Sequence, residues 1–506
     1  MKAFFLKPRL ALCAFSAFFL VAVSAFCVFH VFGRGSVDGS LRHVLILQTS
    51  DLHSHIGTGV GEGDWLILAG IIDRERAKAG GAGKVLLVDC GDTLPGTFLG
   101  SMTRGGAAVE MLNALHYDIW VPGNHDFEFG PKRFAEVWES VRAAKVAANL
   151  EFDGLEVPSW TLIRKNGVGI AVIGMTAPYL RKWLWGRNIK GIGLRGVYES
   201  LDRVMPEVAA ADPDMTILAI HQGRFPPARL DGVFLSAIAE RYPQLDLILG
   251  GHSHQLVPGE RLGKSRVWYV EPGGHGVVLG RIDATIDVKR HRVVNLRSKL
   301  IPVAGNRPEM AVLPAESALR MSRWLEDAGK LSRRKICRLK RRIGYGSGMR
   351  RLFQKAMMAA TGAEVAFSGV IGRNAGFAGE ITEGDVFDAV PYEDTVCVLR
   401  MSRGDFLGVA QEQLDAKRSG RGALSWSGIR LERSLDGSPR LFFREGGEWR
   451  SDSEKRVPVA FSSYDLASAG GRYPVLAETA SRPECRGEDS GTTVREAVLR
   501  WLEKGH

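Results

Sequence analysis

Beyond residue 40 the chain alternates between two hydrophobic rhythms. Short unbroken apolar runs, His43–Thr49, Lys84–Asp89, Ile119–Val121, Gly169–Gly174, Thr216–Ile220 and Leu245–Gly250, read as buried strands. Between them, Leu66–Ala79, Ala107–Leu115, Phe134–Ala144 and Val197–Ala210 carry the amphipathic or Ala-rich pattern of helices. Alternation of this kind predicts an α/β layer architecture with helices packed against the sheet.

Polar residues gather where these strands end. The first run leads into Asp51 and His53, the second into Asp92, and the third into Asn124 and His125. The fifth leads into His221, and the sixth into His252 and His254. Open α/β sheets collect their ligands at the carboxyl ends of their strands. Any one of these motifs is weak evidence, since a lone HxH is more often a surface turn than a ligand pair. Their joint occurrence at five of six strand ends predicts convergence on one site. His, Asp and Asn without Cys form a mixed nitrogen and oxygen donor set, suited to Zn, Mn, Fe or Co. Seven such residues exceed the needs of one tetrahedral ion and suit two divalent ions that share a carboxylate. Gly91, Gly123, Gly250 and Gly251 flank the ligands and permit the tight turns that aim short side chains inward.

DLH (51–53), GD (91–92), GNHD (123–126), His221 and GHSH (251–254), in this order, resemble the calcineurin-like metallophosphoesterases. In the carboxy-terminal half, RNAGFAGEITEGDVFDAVPYEDTVCVLRMSRGDFLGV (373–409) and SYDLASAGGRYPVL (463–476) resemble the two-domain 5′-nucleotidase family, of the bifunctional 5′-nucleotidase and 2′,3′-cyclic phosphodiesterase type. The resemblance implies a four-layer α/β/β/α sandwich followed by a smaller α+β C-terminal domain. Its boundaries would be 41–303 for the metallophosphoesterase domain, 304–350 for a linker helix with a basic segment, and 351–506 for the substrate domain. It implies one ion held by Asp51, His53, Asp92 and His254, and a second held by Asp92, Asn124, His221 and His252. His125 matches the family's catalytic histidine, with Glu128 as its carboxylate partner and Asp126 beside them. His55 is left for a supporting or structural role. The implied chemistry is in-line attack on phosphorus by metal-activated hydroxide, with His125 stabilising the phosphoryl oxygens or the leaving group.

In the second domain the resemblance places Arg373 as an anion contact. It places Ala423 or Leu424 and Leu466 where a nucleobase-stacking aromatic pair would stand, with Trp426, Phe461 or Tyr464 as neighbouring substitutes. Arg472 occupies the position of an acid. The implied substrate is a small phosphorylated metabolite of the nucleotide class, and no nucleic-acid polymer is expected. Two other readings stay open, a thiosulfohydrolase of the same superfamily and a non-catalytic metal-containing binding protein. Trp183-Leu184-Trp185, among Arg181, Lys182 and Arg187, reads as a substrate wall, a membrane contact or a packed loop.

The rest of the composition adds location. At 506 residues, with 45% hydrophobic and 24% charged residues, the chain is globular and too long for one compact domain. Lys2, Lys7 and Arg9 (within 1–9) precede 10–32, a run of 23 residues without Asp, Glu, Lys or Arg. This run is long enough to cross the ~30 Å hydrocarbon layer. It reads as an uncleaved anchor more than a signal sequence, and it places the body outside the cytoplasm, in the periplasm or at the cell surface. Ten of the 22 residues from Lys330 to Arg351 are Lys or Arg and none is acidic, which predicts a solvated helix face. Cys337 and Cys485 are left over and could pair in an oxidising compartment, a question the chain alone leaves open. Oligomeric state is not readable from the chain.

Overall fold

The computed structural model describes residues 39–58, 63–225, 233–305, 313–369, 371–372, 376–420, 422–433, 439–445, 448–450 and 456–505. The apolar run 10–32 and Arg373 lie outside them. Among the described residues no helix is long and apolar enough to cross a membrane.

The first unit is a sandwich of two six-stranded sheets. In the first sheet Leu41–Thr49, Val85–Asp89, Ile119–Trp120 and Ala144–Lys145 run parallel, and Val278–Asp287 and Arg292–Pro302 add an antiparallel edge. In the second, Val168–Met175, Met215–Ile220, Leu247–Leu249 and Trp268–Pro272 run parallel. Trp160–Lys165 and Leu256–Arg261 close its two edges antiparallel. Successive side chains explain why the runs are continuously apolar. Val44 and Ile46 face the core between the sheets with Ile170, Val172 and Ile217, whereas Leu45 and Leu47 face the outer helical layer. On the second sheet Ala171 and Ile173 pack outward against Leu201 and Val204 of the helix Val197–Ala210. Trp65–Ala79, Gly106–Ala114 and Pro131–Ser140 cover the first sheet, and the four layers are those expected. The third of these helices departs from the expected Phe134–Ala144. Pro131, placed after Gly130, sets its start, and Ala144 belongs to a strand.

The helix Ala315–Ser332 leads out of this sandwich, packing Met321 and Ala328 back onto it. The basic run is not one solvated helix face. Past Ser332 it turns into the strand Lys335–Arg338, which pairs with Glu380–Thr382 and packs Ile336 and Cys337 onto the second unit's core. Arg334 reaches Glu383 and Glu503, and Lys335 reaches Glu380.

The second unit is α+β. Its five-stranded sheet runs in the order Ser425–Ser427, Val365–Ser368, Val457–Ser462, Thr395–Met401, Glu488–Thr493. Ser347–Thr361, Glu383–Ala389 and Val494–Glu503 pack on one face, and Arg403–Arg418 and Pro474–Ser481 on the other. Cys90, Cys337, Cys397 and Cys485 are all free. Cys337 and Cys485, whose pairing the chain left open, are not bridged: Cys337 sits in the paired strand and Cys485 is buried beside Asp405 and Arg456.

The core between the two sheets makes a direct prediction. Ile217→Ala is expected to lower unfolding free energy by about 2–5 kcal/mol, and Ile217→Val by about 0.5–1.5 kcal/mol, in denaturant titration. Loss of less than about 0.5 kcal/mol on truncation to Ala would place Ile217 outside the packed interior.

Candidate active site

All seven residues expected as metal ligands come from loops at the carboxyl ends of strands in the two sheets. Their backbones are unusual. Asp51, His53, Asp92, His252 and His254 have φ between 46° and 72°, the left-handed region that non-glycine residues seldom adopt. Such positions cost of order 1 kcal/mol each and persist only where surrounding bonds impose them. Those bonds are present. Asp51 N donates to Gly91 O (2.7 Å), His53 N to Asp92 O (2.9 Å) and His275 N to Asp51 O (2.6 Å). His252 N donates to the Asp51 carboxylate, and His125 N to Asp92 Oδ1 (2.7 Å). Gly91 and Gly123 are needed for close approach. A Cβ on Gly123 would lie 2.2 Å from Asp92 Oδ1, and one on Gly91 would lie 2.4 Å from Gly123 N.

The side chains gather in two groups, Asp51 with His53 and His254, and Asp92 with His221 and His252. Within each group the ligand atoms lie within 4.8 Å of one another. The donor chemistry fits divalent cations. His53 Nδ1 lies 3.1 Å from Pro95 O, and His221 Nδ1 lies 2.7 Å from Cys90 O. A carbonyl only accepts, so both Nδ1 nitrogens carry a proton, and each Nε2 is the nitrogen that would give its lone pair to a cation. His221 Nε2 sits 2.9 Å from Asp92 Oδ2, yet it and Asn124 Oδ1 are buried with no hydrogen-bond partner. Lone pairs of three residues therefore face a position that a cation would satisfy.

Protonation tendencies agree. Burial lowers His53 well below its usual value; burial and then His221 bring His252 down to about 4, so both present neutral imidazoles. Burial also opposes charge on His221, but Asp92 and Asp51 overcome it and raise that imidazole to about 10. The paired carboxylates thus hold positive charge strongly, and a dication would take the proton's place.

His125 stands beside this centre on a short helical turn, His125–Phe127. Its Nδ1 donates to Glu128 Oε1, and Nε2 lies 4.0 Å from Asp92 Oδ2. Burial disfavours the imidazolium, but Asp92 and Glu128 outweigh it and raise His125 to about 10. The second unit completes the arrangement. Glu393 N donates to Glu128 Oε2 (3.1 Å), and the Tyr392 ring lies against His125 at 5.5 Å between centroids and 22° between planes.

Asp126, expected among the catalytic groups, does not face the centre. Its buried carboxylate accepts from the backbone N–H groups of Asp92, Thr93, Leu94 and Gly123 at 2.7–2.9 Å, tying the second and third ligand loops together. His55 stacks on His275 at 4.1 Å, and burial brings it down to about 3. His275 is a residue the sequence reading missed; its ring lies 5.6 Å from that of His53 and 5.3 Å from that of His254. It too follows a strand, Trp268–Pro272, which lay beyond the last apolar run considered.

Between the two units opens a cavity of about 450 Å³, lined at one end by Asn124, His125 and Glu128. Trp183 forms a wall, edge-on to His252 at 5.0 Å and stacked with Tyr464 at 6.0 Å. Tyr464 and Arg472 line the cavity as expected, joined by a 2.8 Å hydrogen bond from Arg472 to the Tyr464 hydroxyl. Ala423 and Leu424 line it as well. Three expected residues do not. Leu466 and Phe461 are buried in the second unit's core, and Trp426 packs against Phe367 and Phe406 and borders a neighbouring cleft. Asp394, part-buried and lining the same cavity, was not anticipated.

Two family models match the chain: calcineurin-like phosphoesterase over residues 44–256, and 5′-nucleotidase C-terminal domain over residues 330–478. Residues 44–256 thus match the calcineurin-like phosphoesterases, a family that works with two divalent metals, and residues 330–478 match the 5′-nucleotidase C-terminal domain. A 2′,3′-cyclic-nucleotide 2′-phosphodiesterase/3′-nucleotidase of Haemophilus influenzae is 24% identical over 261 residues, covering 46% of this chain and 39% of that one. The matches span half or less of the first curated relatives, 39% and 50% of their lengths. In fold, the chain is similar to a 5′-nucleotidase precursor of Thermus thermophilus (TM-score 0.64, 20% identity, 92% of this chain and 96% of that one). It is also similar to the sulfate thiohydrolase SoxB of the same organism (TM-score 0.60, 20% identity, 91% and 94%).

The Asp126 bracket has a measurable consequence. Hydrogen bonds to a charged acceptor contribute about 1.5–3 kcal/mol each, so Asp126→Ala is expected to lower unfolding free energy by at least about 3 kcal/mol. It is also expected to weaken divalent-cation binding about 10–100-fold in calorimetric titration. Unchanged metal affinity would show that the loops hold their shape without it.

Proposed function

We propose that the protein is a dimetal phosphoesterase that releases phosphate from 5′-nucleotides or related phosphorylated metabolites, and that also opens 2′,3′-cyclic nucleotides. The observation that carries this reading is the pair of facing donor groups beside the His125–Glu128 dyad, opening into the inter-unit cavity. One ion would be held by Asp51, His53 and His254, the other by Asn124, His221 and His252, with Asp92 between them. The nitrogen and oxygen donors suit Zn, Mn, Fe or Co. When bound, such a pair supplies activated water near neutral pH and neutralises phosphoryl charge.

The chain's own residues do the rest. Glu128 accepts the hydrogen bond from His125 Nδ1–H, which fixes the ring and leaves Nε2–H free to donate to the phosphoryl or leaving-group oxygen. Tyr392 and Trp183 flank this position. The fold allows either a phosphoester or a thiosulfonate substrate; the name of the Haemophilus relative supports the phosphoester and the cyclic nucleotide. Residues 10–32 support a membrane anchor that holds this domain outside the cytoplasm, a reading checked by membrane fractionation and external protease access.

The deciding experiment is phosphate release from a panel of nucleoside mono- and cyclic phosphates, run beside cysteine S-thiosulfonate. Chelation is expected to abolish phosphate release, and added Zn, Mn, Fe or Co to restore it. His125→Asn is expected to lower kcat about 10²–10⁴-fold with little change in KM. A fully metal-loaded protein that releases phosphate from none of these esters overturns the proposal.

A further inference from the structure

The inter-unit cavity has a neighbour. A cleft of about 510 Å³ adjoins it, and the two share Arg350, Gly422, Ala423 and Leu424 as walls. The residues lining this cleft include Arg350 and Lys417 and no Asp or Glu. A concave surface with two cations and no carboxylate attracts an anion.

Arg350 is part-buried, and among the described residues no ion pair links it to an Asp or Glu; its Nε lies buried without a hydrogen-bond acceptor. Arg472, the other cation of the main cavity, differs: it donates to Tyr464 Oη and Ala469 O and lies over the Tyr464 ring. The carboxylates nearby are engaged elsewhere. Asp394 accepts from Ser463 Oγ at 3.2 Å, and Asp465 caps its own short helix through Ser462 at 2.8 Å. Arg350 also stands in the opening turn of Ser347–Thr361, the end of a helix where a cation is disfavoured, and no acid of the first turn offsets it. The part of Arg350 that lines the two cavities, with no carboxylate paired to it at a position that resists positive charge, is open to an anionic acceptor from outside the chain.

We propose that the substrate carries a second phosphate on its leaving group, held by Arg350 with Lys417 where the cavity opens into the adjoining cleft. The phosphate to be removed lies at the metal end, and the retained one passes Ala423 and Leu424 into the cationic cleft. Trp426, which borders that cleft, becomes a wall for the outer part of such a substrate. The proposal rests on the phosphoesterase reading for the first phosphate only; the cleft and its cations are independent of it.

The test compares adenosine 5′-monophosphate with adenosine 2′,5′- and 3′,5′-bisphosphate in the full, metal-loaded protein. A charge-assisted contact to a part-buried guanidinium is expected to favour a bisphosphate by about 10–100-fold in kcat/KM, mainly through KM. Arg350→Gln is expected to collapse that ratio to below about threefold, and Arg350→Lys to restore part of it. Calorimetric binding of analogues in which methylene replaces the 5′ bridging oxygen reads the same ratio without turnover. Equal turnover and equal binding of mono- and bisphosphates overturn the anion site and leave the phosphoesterase reading intact. An Arg350-dependent preference in binding, with no ester hydrolysed, upholds the anion site and removes the phosphoesterase reading. A preference that survives Arg350→Gln, in a variant with an unchanged thermal midpoint, overturns the assignment to Arg350.

Discussion

Two fully buried carboxylates, Asp51 and Asp92, set the terms for the whole first unit. Charge of this kind is tolerated in an interior only when it is paired, and here the partners are imidazoles converging from loops of both sheets. Pairing alone does not satisfy the centre, since His221 Nε2 and Asn124 Oδ1 still lack partners. The left-handed backbones at five of the ligands show what holds the arrangement: loop-to-loop hydrogen bonds, and glycines that let the chains touch. The apolar core between the sheets supplies the rigid floor on which these strained loops stand.

The setting of His125, the proposed acid, depends on both units. Glu128 orients His125 from within the first, while the Glu393 backbone and the Tyr392 ring bear on the pair from the second. Trp183 does the converse, projecting from the first unit to stack with Tyr464 of the second. The cavity is therefore a property of the junction, and a change in how the units meet would alter the acid and the substrate wall together.

Legibility in the sequence followed periodicity and locality. The strands were visible because both faces of each are buried, and the ligands because each follows its strand within a few residues. Asp126 looked like part of the reactive cluster because sequence proximity cannot show direction; its carboxylate turns to four backbone N–H groups instead. Trp426 lies mid-strand in Ser425–Ser427, so its ring and the serine side chains leave on opposite faces, and the ring faces Phe367. Leu466 sits in the short helix Ser463–Leu466, which turns Tyr464 and Asp465 to the cavity and Leu466 to the core. Tyr392, Asp394 and Arg350 left no local trace, because their meaning arises only when segments more than 200 residues apart meet.

The central claim is that one centre holds two cations around Asp92. Anomalous-difference maps from crystals grown with manganese measure this most directly. Two peaks about 3.5–4 Å apart are expected, one against Asp51, His53 and His254 and one against Asn124, His221 and His252, both in reach of Asp92. A single peak, or two separated by more than about 6 Å with Asp92 touching only one, would contradict it.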